Sequence, residues 1–303
     1  MHKKFAMTFL AAAAALLCTA AQAETGKLLL TGGVSSIDGA AGGGLTPWAV
    51  IGSNATDEEI GGSAFLTNAG TRDYGLNIVG AAVGIHDRFE LSIASQDFNT
   101  RETGTALGLP GLHLKQTIVG AKLRVSGDAV LNSDTLLPQV AVGVQYQTLG
   151  STGLNGTLDA LGAKRNGVDF YVSATKLFLA QGLLVNGTLR ATKGNQNGLL
   201  GYGATLGGNE NRYSVQPEFS VAYLLSKNVV VGAEYRFMRN QLEQAGRAAG
   251  LGGGLRSDDW KDVFIAWAPN TNVSLTLAMQ TAWQFLKTCP TDSRKSRSGR
   301  PTS

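Results

Sequence analysis

The residues best suited to chemistry are charged side chains on segments with strand-like alternation. They are Glu90, Lys122, Arg124, Asp169, Arg190, Glu218, Glu234 and Arg236. Acidic and basic members fall on neighbouring predicted strands, which allows two interpretations. They could form a constriction that selects solutes by charge, or cross-strand pairs that fill a narrow interior. We favour the pairs, because mixed signs neutralise one another better than they select one type of ion.

The sequence offers no complete catalytic or metal-binding set. After the N-terminal segment the histidines are His86, in a tight predicted turn, and His113, with no strand-borne Ser or Asp placed beside it. The glycine run at 39–44 lacks the Lys-Ser/Thr of a phosphate loop. Asp258-Asp259 stands outside any calcium-loop pattern. We therefore expect a protein without enzyme activity, cofactor or bound metal.

The charged residues need strands to position them, and the clearest strand pattern is a hairpin over residues 213–237. Tyr213, Val215, Phe219, Val221 and Tyr223 alternate with residues that are mostly polar. The same alternation resumes after a turn at 226–228. A two-residue period puts one set of side chains on each face. Strands of about ten residues with one apolar and one polar face are typical of a transmembrane β-barrel.

Ten segments are predicted as strands of an all-β, antiparallel transmembrane barrel. They are residues 74–84, 89–98, 115–125, 138–148, 168–178, 183–193, 212–224, 228–239, 260–268 and 272–283. We expect an earlier strand at Leu45–Ile51, although Pro47 cannot donate a ladder hydrogen bond there. Residues 54–73 then form a long connection with additional strand character around Ser63–Thr67.

The connections alternate in length along the chain. Those at 85–88, 179–182, 225–227 and 269–271 are tight, and 126–137 is intermediate. Those at 99–114, 149–167, 194–211 and 240–259 are long and rich in Gly and Asn. Outer-membrane barrels keep short turns in the periplasm and long loops outside. A soluble sandwich also alternates apolar and polar residues, but it gives no reason for this sorting, so we favour the barrel.

The N-terminus has the layout of a secretory signal peptide. Lys3 and Lys4 precede an apolar stretch, and Ala21-Gln22-Ala23 supplies small residues at a cleavage site. We expect residues 1–23 to be removed, followed by a Gly-rich segment at 24–44, the barrel at 45–283 and a basic disordered tail at 284–303. Because Cys18 leaves with the signal peptide, Cys289 has no intrachain partner.

The basic pI of about 9.1 comes from the two ends of the chain. Seven of the 26 basic residues and one of the 22 acidic residues lie within 1–23 and 287–303. Residues 24–286 therefore hold 19 basic and 21 acidic side chains, a net charge of −2. This balance argues against a nucleic acid as a partner.

Four stretches resemble a family of uncharacterised Gram-negative outer-membrane proteins, domain-of-unknown-function family 3034. The first runs from Leu28 to Ser36 and on through Gly42-Gly43-Gly44 to Ile51; the others are Asp169–Phe178, Leu184–Thr192 and Ala222–Arg236. The resemblance covers about Lys27 to Met279. It implies a membrane barrel of about twelve strands, but no activity. It also implies outer-membrane lipid and the barrel-assembly machinery as partners.

The C-terminus departs from that family. Such proteins close with an alternating strand that ends in an aromatic residue, whereas here a basic, Ser-rich stretch follows Trp283. One early strand and the ten above make eleven, and single-chain bacterial barrels have an even number. We hypothesise a shifted reading frame near Met279, with a natural disordered tail as the alternative. An open sheet edge in lipid costs several kcal/mol for each unpaired backbone group, so we expect poor membrane assembly.

The expected function is porin-like passage of small solutes or a structural role in the outer membrane. The alternative is surface adhesion or ligand binding through the loops at 149–167, 194–211 and 240–259. Their small polar residues provide neither an aromatic nor a charged recognition patch, which weakens the alternative.

Overall fold

A computed structural model describes residues 29–70, 74–106, 109–129, 136–150, 153–208, 211–239, 242–250 and 255–281. The predicted signal peptide at 1–23 and the predicted tail at 284–303 lie outside these residues. Strands dominate the described chain. They are β1 (Val34–Ser35), β2 (Ala41–Gly42), β3 (Ile60–Gly70), β4 (Gly75–Ile85), β5 (Phe89–Asn99), β6 (His113–Ser126), β7 (Gln139–Leu149), β8 (Asn166–Phe178), β9 (Leu183–Thr192), β10 (Ser214–Ser226), β11 (Val229–Arg236), β12 (Trp260–Asn270) and β13 (Val273–Thr281).

Within the described residues, β3 to β13 form one eleven-stranded sheet in which every strand pairs antiparallel with the next. The sheet curls into an incomplete barrel whose edges are β3 and β13. The predicted all-β antiparallel barrel is thus confirmed, and all ten predicted strands match β4 to β13. In the described residues, three short α-helices lie in the long connections: α1 (Arg101–Ala106), α2 (Asn155–Ala160) and α3 (Leu242–Ala248). Two 3₁₀ helices occupy Leu179–Gln181 and Leu206–Gly208.

The expected strand at Leu45–Ile51 is wrong. Pro47 makes an isolated bridge with Gly42, and the stretch lies on the concave side of the sheet without being one of its strands. Pro47 lacks a ladder donor, and the glycines before it favour a compact path over an extended one. The first strand of the sheet is β3, which contains the Ser63–Thr67 stretch.

The two faces of the sheet have opposite character because side chains alternate along each strand. We call the exposed apolar residues of the convex face the outer belt. They are Leu66, Val79, Val83, Leu91, Ile93, Val119, Leu123, Val142, Val144, Phe170, Val172, Val185, Leu189, Val215, Phe219, Val221, Tyr223, Val263, Ile265, Trp267, Val273, Leu275, Leu277 and Met279. The concave face carries small, polar and charged side chains in its middle and apolar clusters towards its two ends. The exposed belt of large apolar residues is the reverse of the surface of a soluble protein.

The two ends of the sheet differ, as predicted. One end, the turn end, carries the short connections at 86–88, 179–182, 227–228 and 271–272 and the intermediate one at 127–138. The other, the loop end, carries the long connections at 100–112, 150–165, 193–213 and 237–259 and the short one at 71–74. At the loop end, loop residues fold inward onto strand residues in one apolar cluster that includes Phe98, Leu114, Leu199, Leu242 and Leu255. Apolar loop residues thus fill the interior at that end.

The N-terminal segment also lies inside the curved sheet. Residues 36–52, which we call the plug, include Trp48, Ala49 and Ile51, each 3% exposed or less. Trp48 belongs to a second apolar cluster with Leu184 and Phe264, near the turn end. The interior is therefore occupied by chain from both ends of the sheet. Among the residues that the structure describes, no helix is long and apolar enough to cross a membrane.

Glycines inside the sheet make room for aromatic rings on the neighbouring strand. A Cβ atom at any of three glycines would overlap the ring of its cross-strand partner; the pairs are Gly80 with Phe65, Gly143 with Tyr171 and Gly232 with Phe264. Each ring covers backbone that has no side chain of its own, a pairing that fixes strand register in curved sheets. The pairs thus fill the interior without widening the sheet.

We expect Gly143→Ala to destabilise the fold by about 1–3 kcal/mol, because the new methyl group must displace the Tyr171 ring. Gly187→Ala on β9 is the matched control, since a Cβ atom there meets nothing within 4 Å. Denaturant unfolding in detergent measures both variants. Equal midpoints for the two variants would contradict the close packing of Tyr171 on Gly143.

Candidate functional site

Seven of the eight charged residues singled out in the sequence lie buried on the concave face. Glu90, Lys122, Asp169, Arg190, Glu218, Glu234 and Arg236 are each 3% exposed or less. The exception is Arg124, near the turn end, where its guanidinium lies 2.8 Å from Asp87 and 3.2 Å from Asp57. Arg124 therefore ties turns together and does not join Glu90.

Strand register explains the main ion pairs. Glu90 and Lys122 are direct cross-strand partners on β5 and β6, and their charged atoms lie 3.1 Å apart. Glu218 on β10 faces Arg236 on β11 at 3.4 Å and receives a 2.6 Å hydrogen bond from Arg190 Nε on β9. Directly opposed residues share a face, so a period of two brings these charges together.

Asp38 of the plug joins the two arginines. Its Oδ2 atom lies 3.1 Å from Arg190 Nη2 and 2.9 Å from Arg236 Nη2, and Asn197 Nδ2 donates a 3.0 Å hydrogen bond to Oδ1. Asp38 is fully buried. Burial by itself raises the pKa of its carboxyl, but the charges of Arg236 and Arg190 outweigh burial and hold that pKa below its ordinary value of 3.8. The carboxylate therefore stays ionised and anchors the plug to two strands.

A second anchor is Glu234 on β11, which binds the plug backbone. Its carboxylate accepts hydrogen bonds from Leu45 N at 2.6 Å, from Thr46 N at 3.1 Å and from Thr46 Oγ1 at 2.6 Å. A Cβ atom at Gly43 would overlap this carboxylate, so only glycine lets the chain pass so close. Glu234 thus supplies the hydrogen-bond acceptors that a neighbouring strand would offer to the N–H groups of residues 45 and 46.

The Glu90–Lys122 pair forms the third anchor. Glu90 accepts hydrogen bonds from Ala41 N at 3.1 Å and Gly52 N at 2.6 Å. Lys122 Nζ donates to the carbonyl oxygens of Ala41 at 3.1 Å, Trp48 at 3.2 Å and Val50 at 2.7 Å. A carboxylate only accepts hydrogen bonds and an ammonium only donates them. Together the pair therefore binds both the N–H and the C=O groups of the plug backbone.

Neutral strand residues bind further backbone groups of the plug. Ala49 N donates to Thr175 Oγ1 at 2.7 Å, and Gln139 Nε2 donates to Ala49 O at 2.8 Å. Ser173 and Thr188 donate to Pro47 O at 3.1 and 2.8 Å. Buried backbone groups need partners, and here side chains provide them. This explains how an apolar stretch such as Leu45–Ile51 remains buried without being a strand.

A loop from the loop end reaches the same network. Tyr202, in the connection between β9 and β10, donates a 2.9 Å hydrogen bond to Gln147 Oε1, and Gln147 Nε2 donates to Asp169 at 2.8 Å. Burial raises the pKa of the Tyr202 hydroxyl well above its ordinary value, and the charge of Asp169 adds to the rise. Tyr202 therefore stays protonated and able to donate.

The site is suited to holding chain rather than to reaction. Its charged groups are engaged with one another or with the plug. In the described part of the chain, no group of three or more His, Cys, Asp or Glu side chains is arranged to hold a metal ion. His86 contacts Asp57 O at 2.9 Å in a turn, and His113 contacts Asp97 at 2.5 Å on the exposed side. Neither histidine reaches the buried network.

Sequence reasoning missed Asp38, Gln145 and Asp262 as members of the charged interior. A signal for Asp38 was present: it is the only charged residue between residues 28 and 56. A lone carboxylate in a Gly-rich apolar stretch needs a cationic partner if it is buried. Gln145 accepts a 2.5 Å hydrogen bond from Arg190, but the sequence does not distinguish it from other polar strand residues.

Asp38→Asn should release the plug, because it leaves Arg190 and Arg236 buried without the shared carboxylate. We expect a loss of about 3–5 kcal/mol in the free energy of unfolding, together with faster hydrogen exchange across residues 36–52. Asp159→Asn, on the exposed side of α2, is the matched control. If both variants exchange at the wild-type rate, Asp38 does not anchor the plug.

Acid should loosen the plug in the wild-type chain. Because the folded pKa of Asp38 lies below 3.8, its ionisation stabilises the folded state above that pH. This stability is lost as pH falls below 3.8 and through the depressed folded pKa. Hydrogen exchange of residues 36–52 should then rise, after correction for intrinsic exchange rates. In Asp38→Asn, which cannot titrate at this position, an acid step of the same size would refute the assignment.

No curated protein matches the chain in sequence. The family described as "Protein of unknown function (DUF3034)" matches residues 31–284. That match spans the plug and every strand from β3 to β13, so it covers the whole architecture described above. The chain belongs to the family of proteins of unknown function DUF3034.

Proposed function

We propose that this protein is a β-barrel of the outer membrane whose interior is closed by its own N-terminal plug, with a structural role at rest. The observation that carries the proposal is the use of the interior charges. Asp38, Glu234 and the Glu90–Lys122 pair bind the plug to strands on different sides of the interior. Charges that hold a segment of the same chain are not available to select a passing solute.

The outer belt supports a place in lipid. Leu66, Phe219 and Leu277 are 80%, 53% and 75% exposed, and similar residues occur on the convex side of strand after strand. Monomeric soluble proteins rarely expose so large an apolar surface, whereas a barrel in a bilayer requires it. The expected signal peptide and the sorting of short turns from long loops agree with insertion in an outer membrane.

The filled interior argues against a standing diffusion pore. The plug occupies the middle of the concave side, and the loop-end cluster fills the space beneath the long loops. Hydrogen bonds to charged groups contribute about 1.5–3 kcal/mol each, and the plug receives several of them. Passage of small solutes would therefore require the plug to move.

The long loops give little support to an adhesion role. Leu161, Leu199 and Leu255 from three of these loops are buried in the loop-end cluster. Their apolar residues are used inside the protein rather than displayed. Adhesion or ligand binding remains the alternative function. We propose no enzyme activity, because the charged groups of the site bind the chain itself.

Planar-bilayer recording tests the closed state. Wild-type protein that has inserted, as checked by flotation with lipid vesicles, should leave the bilayer silent. Deletion of residues 29–52 removes the plug and should produce steady conductance steps. Asp38→Asn, which keeps the segment but loosens it, should produce intermittent openings. Asp159→Asn serves as the control and should be as silent as the wild type.

Two results would contradict the proposal. Steady conductance by the wild-type protein would mean that the plug does not close the barrel. Reconstitution from detergent bypasses assembly in the cell, which we expect to be poor because of the open sheet edges. Failure of the folded wild-type protein to float with vesicles would therefore argue against a place in lipid. A silent deletion variant that has inserted would show that the loop-end cluster closes the interior without the plug.

A further inference from the structure

The gap between the two sheet edges has the features of a binding site. In the described part of the chain, β3 pairs only with β4, and β13 pairs only with β12. A cavity of about 1230 Å³ is lined by both edge strands, by plug residues and by Asp262. We infer that this gap binds one extended strand from a second polypeptide, which runs antiparallel to both edges and carries a Lys or Arg on its inward side. The inference rests on the sheet, and only the comparison with other occupants rests on the proposed place in lipid.

The strand directions decide the orientation of the occupant. Successive strands reverse, so β3 and β13 both run from the turn end to the loop end. One strand that runs from the loop end to the turn end is therefore antiparallel to both. It would pair the free N–H and C=O groups of both edges at once, which is how extended segments add to exposed sheet edges.

The faces of the edge strands decide the side-chain pattern of the occupant. The outward residues of β13 are Val273, Leu275, Leu277 and Met279, which are apolar and exposed. Inward positions hold mainly small residues: Ser274, Thr276 and Ala278 on β13, and Gly61 and Ser63 on β3, with Phe65 on β3 as the large exception. A strand that continues both faces must alternate, with apolar side chains outward and small polar side chains inward.

The charge balance of the interior determines the sign and the place of the one charged side chain of the occupant. The described interior holds six carboxylates, Asp38, Glu90, Asp169, Glu218, Glu234 and Asp262, against three cations, Lys122, Arg190 and Arg236. Asp262 lies directly opposite Glu234 on the neighbouring strand, and its buried Oδ1 atom has no hydrogen-bond partner. Asp262 also lines the cavity. A cation that enters from the gap would meet an unpaired acceptor beside a second carboxylate.

Asp262 is within reach of such a strand. Neighbouring strands are about 4.8 Å apart, so a strand next to β13 would lie about 10 Å from β12. A long basic side chain on the new strand and the shorter Asp262 side chain can together span that gap. The basic residue belongs at the level of the Asp262–Gln280 pair, near the loop end.

Two other occupants fit less well. A second copy inserted in the same orientation would present β3 or β13 in the same direction, so the pairing would be parallel rather than antiparallel. Residues 291–300 of this chain place basic residues at both even and odd positions, for example Arg294 and Lys295. Either alternating set would then point a charge outward, next to the outer belt, which is costly in lipid.

The test uses the chain without its expected signal peptide, and hence without Cys18, in detergent with Cys289→Ser as the background. The probe is a labelled peptide of about eleven residues, with Val and Leu at outward positions and Ser and Thr at inward positions. One inward position near its N-terminus is Lys in the first version and Glu in the second. We expect saturable binding of one peptide per chain, with the Lys version about ten-fold tighter. In Asp262→Asn the two versions should bind equally.

Disulfide trapping tests direction. A peptide with an N-terminal cysteine should trap Ala278→Cys near the loop end and spare Ser274→Cys near the turn end. A control peptide of the same composition in scrambled order should not bind. Preferential trapping at Ser274→Cys, equal binding of the scrambled peptide, or a Lys preference that survives Asp262→Asn would overturn the inference. So would failure of both peptides to bind the wild-type chain, or disulfide dimers of Ala278→Cys that exclude the peptide.

Discussion

The structure depends on the pairing of charges inside a curved sheet whose apolar residues face outward. Between the apolar clusters at its two ends, the interior is built from polar and charged groups, and these are costly to bury unless paired. Asp38 meets this constraint by sharing its carboxylate between Arg190 and Arg236, which also contact Glu218. One plug residue thus connects β9, β10 and β11.

The same constraint explains why the plug stays inside. An irregular segment can be buried only if its backbone groups find partners, and here Glu90, Lys122 and Glu234 supply them. The charges and the plug stabilise each other: without the plug, Glu90 and Glu234 would lose the backbone N–H groups that donate to them, and without these carboxylates those N–H groups would lose their acceptors. Asp262 Oδ1 is one of several buried polar atoms without a hydrogen-bond partner, and it lies one strand away from an open edge of the sheet.

Much of the fold could be predicted because strand patterns are local. Tyr213 to Tyr223 alternates in a way that reports its two faces directly, and the same holds for each strand from β4 to β13. The prediction was wrong at Leu45–Ile51 because an apolar run reads alike whether it forms a strand or fills an interior. It was incomplete for the candidate site, since Arg124 has the same local pattern as Lys122 but ends beside Asp87 in a turn.

The sequence by itself determined the all-β antiparallel sheet, the faces of its strands and seven of the charged residues on its inner side, since each depends on spacing along a single strand. Only the tertiary structure decided that the Gly-rich N-terminal segment lies inside as a plug and that Asp38 joins Arg190 to Arg236. Those contacts link residues more than 150 positions apart. Their geometry depends on how far the sheet curls and on which backbone groups remain unpaired. Neither quantity is encoded in the period of any one strand.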